Sequence, residues 1–157
     1  MKLEASCQCG KVRYSVESRT PYPYMRCYCS ICRKTGGGGG YAINLGADSA
    51  TLEIEGAEYK RFYHARMAHG HSEGERHFCG ECGTSLYLYD PRWPELVHPM
   101  ASAVDTPLPT PPEIVHIMLD SKAEWVQVPE GPGHVHFGGY PELSIEEWHR
   151  RHGLLEE

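Results

Sequence analysis

Alternation of apolar and polar positions runs through most of this chain. In Lys11–Glu17, "KVRYSVE", Val12, Tyr14 and Val16 fall on one face and Lys11, Arg13 and Ser15 on the other. That period of two predicts a half-buried strand. The same pattern, less regular, predicts strands in "YAINL" (41–45), "TLEIEG" (51–56), "YKRFYHA" (59–65) and "TSLYLYD" (84–90). Two later strands are predicted in "EIVHIML" (113–119) and "EWVQVP" (124–129). Turn signals such as Gly46-Ala47-Asp48, Glu55-Gly56 and Asp90-Pro91 separate several of these runs. Short strands at this spacing indicate a mainly β fold and not alternating βαβ units.

Three stretches leave the pattern. "MAHGHSEGE" (67–75) is polar and glycine-containing and predicts a mobile loop, while "DTPLPTPPE" (105–113) predicts a stiff extended connection. The tail "LSIEEWHRRHGLLEE" (143–157) predicts a short C-terminal helix. Ser144 and Glu147 have the spacing of a capping box, Ile145 and Trp148 share a face, and Gly153 ends the run. Trp93, Trp125 and Trp148 are expected to be packing anchors. At 157 residues the chain is expected to form one domain, 1–157, with a β core over 1–130 and a helix-bearing extension over 131–157.

Charge and composition narrow the function. A net charge of −6 argues against general binding to a nucleic-acid backbone. No apolar run approaches the roughly 20 residues of a membrane helix, and no secretory leader is visible. The expectation is a cytoplasmic protein with reduced thiols. Seven cysteines, an odd number, also fit poorly with a framework of disulfides alone.

The cysteines divide by their turn chemistry. Cys7 and Cys9 stand in "CQCG", Cys79 and Cys82 in "CGECG", and both pairs end in Cys-Gly. Joined, they make the four-thiolate set that structural zinc prefers. A C-x-x-C redox pair is disfavoured, because the βαβ setting of thioredoxin-type motifs is missing. Cys27, Cys29 and Cys32 remain, in "CYCSICRKTGGGGG". In an extended segment Cys27 and Cys29 share a face, and Cys32 comes round on a turn. Three protein ligands leave either an open, catalytic position or one closed by a histidine, with His64 and His77 as candidates. Three thiolates on a divalent ion make a poor Lewis acid, but such a site can hold an incoming thiol as a nucleophilic thiolate. Arg33 and Lys34, directly after Cys32, could offset its charge or attract an anionic substrate, and could equally be an ordinary solvated pair. Gly36 to Gly40 permit close backbone approach to a ligand, or plain flexibility. His134 and His136 could bind metal, but read more simply as polar positions of an exposed segment.

C-x-C-G near the N-terminus, C-x-C-x-x-C-R-K after it and F-C-x-x-C-G-T further on resemble the glutathione-dependent formaldehyde-activating enzyme family, which includes the centromere protein V-like domain. "HIMLDSKAEWVQVP" (116–129) resembles the family's later segment, so the similarity runs from about Cys7 to Val128. The resemblance implies an Mss4-like β-tent fold with two zinc ions. One, structural, would sit on Cys7, Cys9, Cys79 and Cys82; the other, catalytic, on Cys27, Cys29 and Cys32. It implies a carbon–sulfur lyase that joins glutathione to formaldehyde as S-hydroxymethylglutathione, with Arg33, Lys34 or Arg61 holding glutathione's carboxylates. Tyr28, where family members often have histidine, and the glycine run depart from the pattern at the expected pocket. A non-catalytic protein-binding module and a thiol-based sensor are the alternatives, in that order.

Overall fold

A computed structural model of the chain describes residues 1–36 and 38–155. Three sheets form from twelve strands: β1 (Lys2–Ser6), β2 (Arg13–Glu17), β3 (Tyr24–Cys27), β4 (Ala42–Asn44), β5 (Ala47–Asp48), β6 (Glu53–Glu55), β7 (Lys60–Met67), β8 (Gly70–Cys79), β9 (Ser85–Tyr89), β10 (Leu96–Pro99), β11 (Ile114–Ile117) and β12 (His134–His136). Helix α1 spans Ser30–Gly36 and α2 spans Ile145–Arg151. The strand orders are β1-β2-β6, β5-β10-β9-β8-β7 and β12-β11-β3-β4. Pairing is antiparallel except that β11 runs parallel to both β3 and β12. The fold is mainly β, as the alternation predicted, with the short C-terminal helix predicted from the tail.

The inner faces carry the pattern read from the sequence. Val12, Tyr14 and Val16 of the β2 region are buried with Leu3 and Ala5 of β1, Leu86 and Tyr87 of β9, Val97 of β10, and Val115 and Ile117 of β11. Tyr14 extends across this core, its hydroxyl donating to the Leu86 carbonyl at 2.8 Å, which satisfies a polar group that burial would otherwise leave at a cost. Four readings need correction. "EWVQVP" contains no strand; Val126 is buried, but the segment runs as turn and coil. "MAHGHSEGE" is no loop, since only a two-residue turn separates β7 from β8 and the chain pairs again from Gly70. Its polarity reflects a hairpin exposed on both faces for much of its length, where burial no longer selects apolar residues. Trp93 and Trp125 are 51% and 64% exposed, and only Trp148 is buried. The β framework also passes the expected limit at residue 130, because β12 adds a strand from the C-terminal segment.

At the tail, the Ser144 hydroxyl accepts from the Glu147 amide at 3.1 Å, and Gly153 has φ +65°. The capping box is only half formed: the Glu147 carboxylate pairs with Arg150 and Arg151, three and four residues on.

Candidate metal centres

Two clusters of sulfur atoms are present. The first joins Cys7, Cys9, Cys79 and Cys82, with all four sulfurs within 4.8 Å of one another. Sequence and topology explain the convergence. The turn after β1 folds back so that the Cys7 amide donates to Val12 O, while the turn after β8 makes the corresponding bond from Cys79 to Thr84 O. Gly10 and Gly83 take φ +77° and +79°, left-handed values that glycine adopts without a Cβ clash, so both knuckles close alike. A further amide, Val12 N–H, donates to Cys7 Sγ at 3.2 Å. The Thr84 hydroxyl lies 3.2 Å from Cys82 Sγ and holds that thiol down to about 5. The Cys7–Cys9 and Cys9–Cys79 sulfur separations are 3.6 and 3.8 Å. Tetrahedral zinc with Zn–S bonds of about 2.3 Å sets its sulfurs about 3.8 Å apart, so the set fits that ion.

The second cluster joins Cys27, Cys29 and Cys32, again with sulfurs within 4.8 Å. Cys27 ends β3, and Cys32 lies inside α1, whose first turn replaces the simple turn expected from the sequence. Helical winding there lets the Cys32 amide donate to Cys29 Sγ at 3.3 Å. The Cys27 and Cys29 sulfurs are 3.4 Å apart. Bonds from Cys27 and then Cys32 hold the Cys29 thiol far below its ordinary value, while the bond to Cys29, above all, pushes Cys27 up. Cys27 and Cys32 are buried and Cys29 partly exposed. All seven cysteines are free of disulfides.

Neither candidate histidine closes this cluster. Among the described residues, no histidine or carboxylate joins the three sulfurs. His64 donates from Nδ1 to the Gly74 carbonyl at 3.2 Å. His77 receives the Lys60 ammonium on Nδ1 at 2.8 Å and donates from Nε2 to Glu75 Oε1 at 3.0 Å. Burial, with the Lys60 charge second, lowers its pKa to about 4.

The expected substrate contacts separate. Arg33 follows Cys32 in α1, and its Nε is buried without a hydrogen-bond partner among the described residues. Lys34 is exposed at the last turn of the same helix. Arg61 packs elsewhere: its Nε and Cδ lie 3.0 and 3.1 Å from where a Cβ on Gly80 would stand, over the four-cysteine knuckle. Two neighbours of the second cluster escaped the sequence reading. Arg76 on β8 brings Nη1 and Nη2 to 3.6 and 3.7 Å from Cys32 Sγ, and Asn44 on β4 brings Nδ2 to 4.0 Å. Neither carries a local signal, because both reach Cys32 from strands distant in sequence.

Tyr28 is not a pocket residue. It is fully buried, and its hydroxyl pairs with His116 Nδ1 at 2.7 Å, while His116 Nε2 pairs with His134 Nδ1 at 2.9 Å. The Tyr28 amide extends the pairing of β3 with β11 by one residue, donating to Ile117 O at 3.1 Å, and in extended backbone its side chain leaves on the face opposite that of Cys27. Of the histidines of "HVH", His134 joins this polar chain through its bond to His116, while His136 stays exposed beside it, its Nε2 donating to Pro129 O at 2.8 Å. In the glycine run, Gly37 lies outside the described residues, and Gly40 is not simply flexible. A Cβ on Gly40 would meet Val126 Cγ2 at 2.2 Å, so that glycine is required by packing.

Residues 2–121 match the profile of the family described as glutathione-dependent formaldehyde-activating enzyme. The chain belongs to this family. A relative from Halomonas elongata, provisionally named a glutathione-dependent formaldehyde-activating enzyme, is 57% identical over 156 residues, covering 99% of both chains. A crystal structure of a Rhodobacter sphaeroides protein superposes with a TM-score of 0.54 at 27% identity, covering 69% of this chain and 92% of that one. All seven cysteines of the two clusters lie within the matched residues 2–121 of this formaldehyde-activating family member, and so does Arg76. None of its described helices is long and apolar enough to cross a membrane.

Proposed function

We propose that the protein is a zinc-dependent enzyme of the carbon–sulfur lyase type, which adds glutathione to formaldehyde to give S-hydroxymethylglutathione and catalyses the reverse cleavage. The observation that carries this reading is the cluster of Cys27, Cys29 and Cys32, three convergent sulfurs with no fourth ligand from a histidine or carboxylate among the described residues. Cys7, Cys9, Cys79 and Cys82 would hold a structural zinc, and the three-cysteine cluster a second. When bound there, zinc supplies positive charge that stabilises a thiolate while leaving its sulfur nucleophilic.

The chain's own residues do the rest. Cys29 is the one partly exposed member, so a thiol approaches from its side. Arg33 and Lys34, beside the cluster in α1, offer positive charge to the tripeptide's carboxylates; Arg61, packed on the other knuckle, is the less suited of the three. In the reaction the glutathione sulfur bonds to the aldehyde carbon and the carbonyl π pair moves to oxygen. The oxygen takes up a proton in place of the one the thiol released, so the addition is redox-neutral. We place this chemistry in a single domain, 1–157, in the cytoplasm, where all seven thiols stay reduced.

Cobalt(II) in place of zinc tests the reading, because its absorption reports coordination. Titration with glutathione is expected to shift the bands saturably, as sulfur enters the second site. A spectrum unmoved at millimolar glutathione, with both sites loaded, would remove glutathione as substrate. It would favour a protein-binding module, a reading supported by the half-exposed Phe62, Tyr63 and Met67 of β7.

A further inference from the structure

A buried thiolate cluster has an electrostatic problem that its ligands alone do not solve. Three thiolates around a divalent ion leave one excess negative charge, and a fourth thiolate doubles it. Cys27 and Cys32 are 6% and 3% exposed, so water screens little of that charge. A counter-charge must come from the protein. Arg33 is next in sequence, but its buried Nε has no hydrogen-bond partner among the described residues. In Arg76, both terminal nitrogens of the guanidinium face one sulfur, Cys32 Sγ, at 3.6 and 3.7 Å. These lengths suit N–H donors to sulfur, and a two-pronged approach fixes the guanidinium's orientation as well as its charge.

The framework holds Arg76 in place. It lies in β8 between strand neighbours, opposite Tyr63 of β7 and Leu88 of β9. The flanking Glu75 and His77 are bonded to each other on the opposite face, and Lys60 takes up the remaining His77 nitrogen. The nearest acidic residue in sequence is thus engaged elsewhere, and Arg76 is left to the sulfur.

We propose that Arg76 is a positioning residue that acts through Cys32: its guanidinium offsets the cluster's negative charge, so that the second site can accept an anionic thiolate as a further ligand. The proposal rests on the thiol-binding reading above, but Arg76's action on Cys32 can be measured without it. Selectivity for anionic over neutral ligands then comes from a residue on another sheet, not from the C-x-C-x-x-C loop.

The test uses full-length cobalt-loaded protein, wild type against Arg76→Met and Arg76→Lys, titrated with 2-mercaptoethanol, glutathione and imidazole. Expected for Arg76→Met are unchanged cobalt stoichiometry and a sulfur-to-cobalt charge-transfer band moved to longer wavelength, since Cys32 has lost its donors. Both thiols should bind about tenfold more weakly while imidazole, a neutral ligand, binds as before. Arg76→Lys should recover part of the thiol affinity, having the charge without the fork. Should Arg76→Met fail to fold, Arg76→Gln provides the same comparison. Equal weakening of thiols and imidazole would reduce Arg76 to a structural role and overturn the proposal. Weakening of glutathione alone would assign Arg76 to the tripeptide's carboxylates, and would overturn it too. If wild type takes up neither thiol, the enzyme reading fails, and the charge-transfer band decides Arg76 by itself. A shift on Arg76→Met sustains its action on Cys32, and an unmoved band refutes it.

Discussion

His116 shows how much a single buried residue contributes here. It is fully buried, bonded on both ring nitrogens, and burial, followed by the charge of Arg26, lowers its pKa to about 4. The folded protein therefore keeps this ring neutral down to about pH 4, whereas the unfolded chain protonates it below about 6.5. The unfolded state binds the extra proton in that window, so the contribution is present above about pH 6.5 and is lost as pH falls toward 4. It amounts to up to about 3 kcal/mol. Urea unfolding of the zinc-loaded protein at pH 7.5 and 4.5 should show a larger loss for wild type than for His116→Gln; equal losses would contradict the assignment. Nothing local in "EIVHIML" marks His116 as buried, since histidine in a strand is more often at a wet face. The Tyr28 partner was equally illegible, because its neighbours Cys27 and Cys29 suggested a pocket that strand alternation places on the other side.

Among the elements, α2 was the most legible and the β7–β8 hairpin the least. The α2 signals are local: Ser144, Trp148 and Gly153 lie within one short stretch, and all three behave as read. Ser144→Ala should cost about 1 kcal/mol by removing the oxygen that caps the Glu147 amide. Thermal unfolding would show this, with zinc content unchanged. The Trp148 indole also reaches the Glu113 carboxylate at 2.8 Å, anchoring the helix to the residue before β11. The hairpin, by contrast, is held by pairing between two strands with exposed faces, and pairing leaves little trace in apolar periodicity. A bulge between His64 and Arg66 turns Ala65 inward, a further departure from simple alternation. Helix α1 was missed because its seven residues are dominated by the needs of the cysteines and glycines.

At the scale of the whole molecule, the proposed function assigns the two cysteine clusters different work. The four-cysteine cluster brings the turn after β1 to the turn after β8, adding to the packing and the Tyr14–Leu86 hydrogen bond that already join these two sheets. Cys79→Ser should lower the unfolding free energy by several kcal/mol and abolish most of the response of thermal stability to added chelator. Cys29→Ser should lose one zinc and the thiol response while keeping most of that stability. Metal analysis with thermal unfolding separates the two, and a similar stability loss in both variants would mean that both sites are structural. The division of cysteines could be read from the sequence because zinc knuckles are local: spacing and a following glycine set where each pair of sulfurs points. The mainly β class was also set locally, by side chains alternating at a period of two. Which strands pair, the burial of Tyr28 and His116, and the approach of Arg76 and Asn44 to Cys32 were decided only in the tertiary structure. Each depends on contacts between segments far apart in the chain, and no spacing within one segment encodes a distance to another.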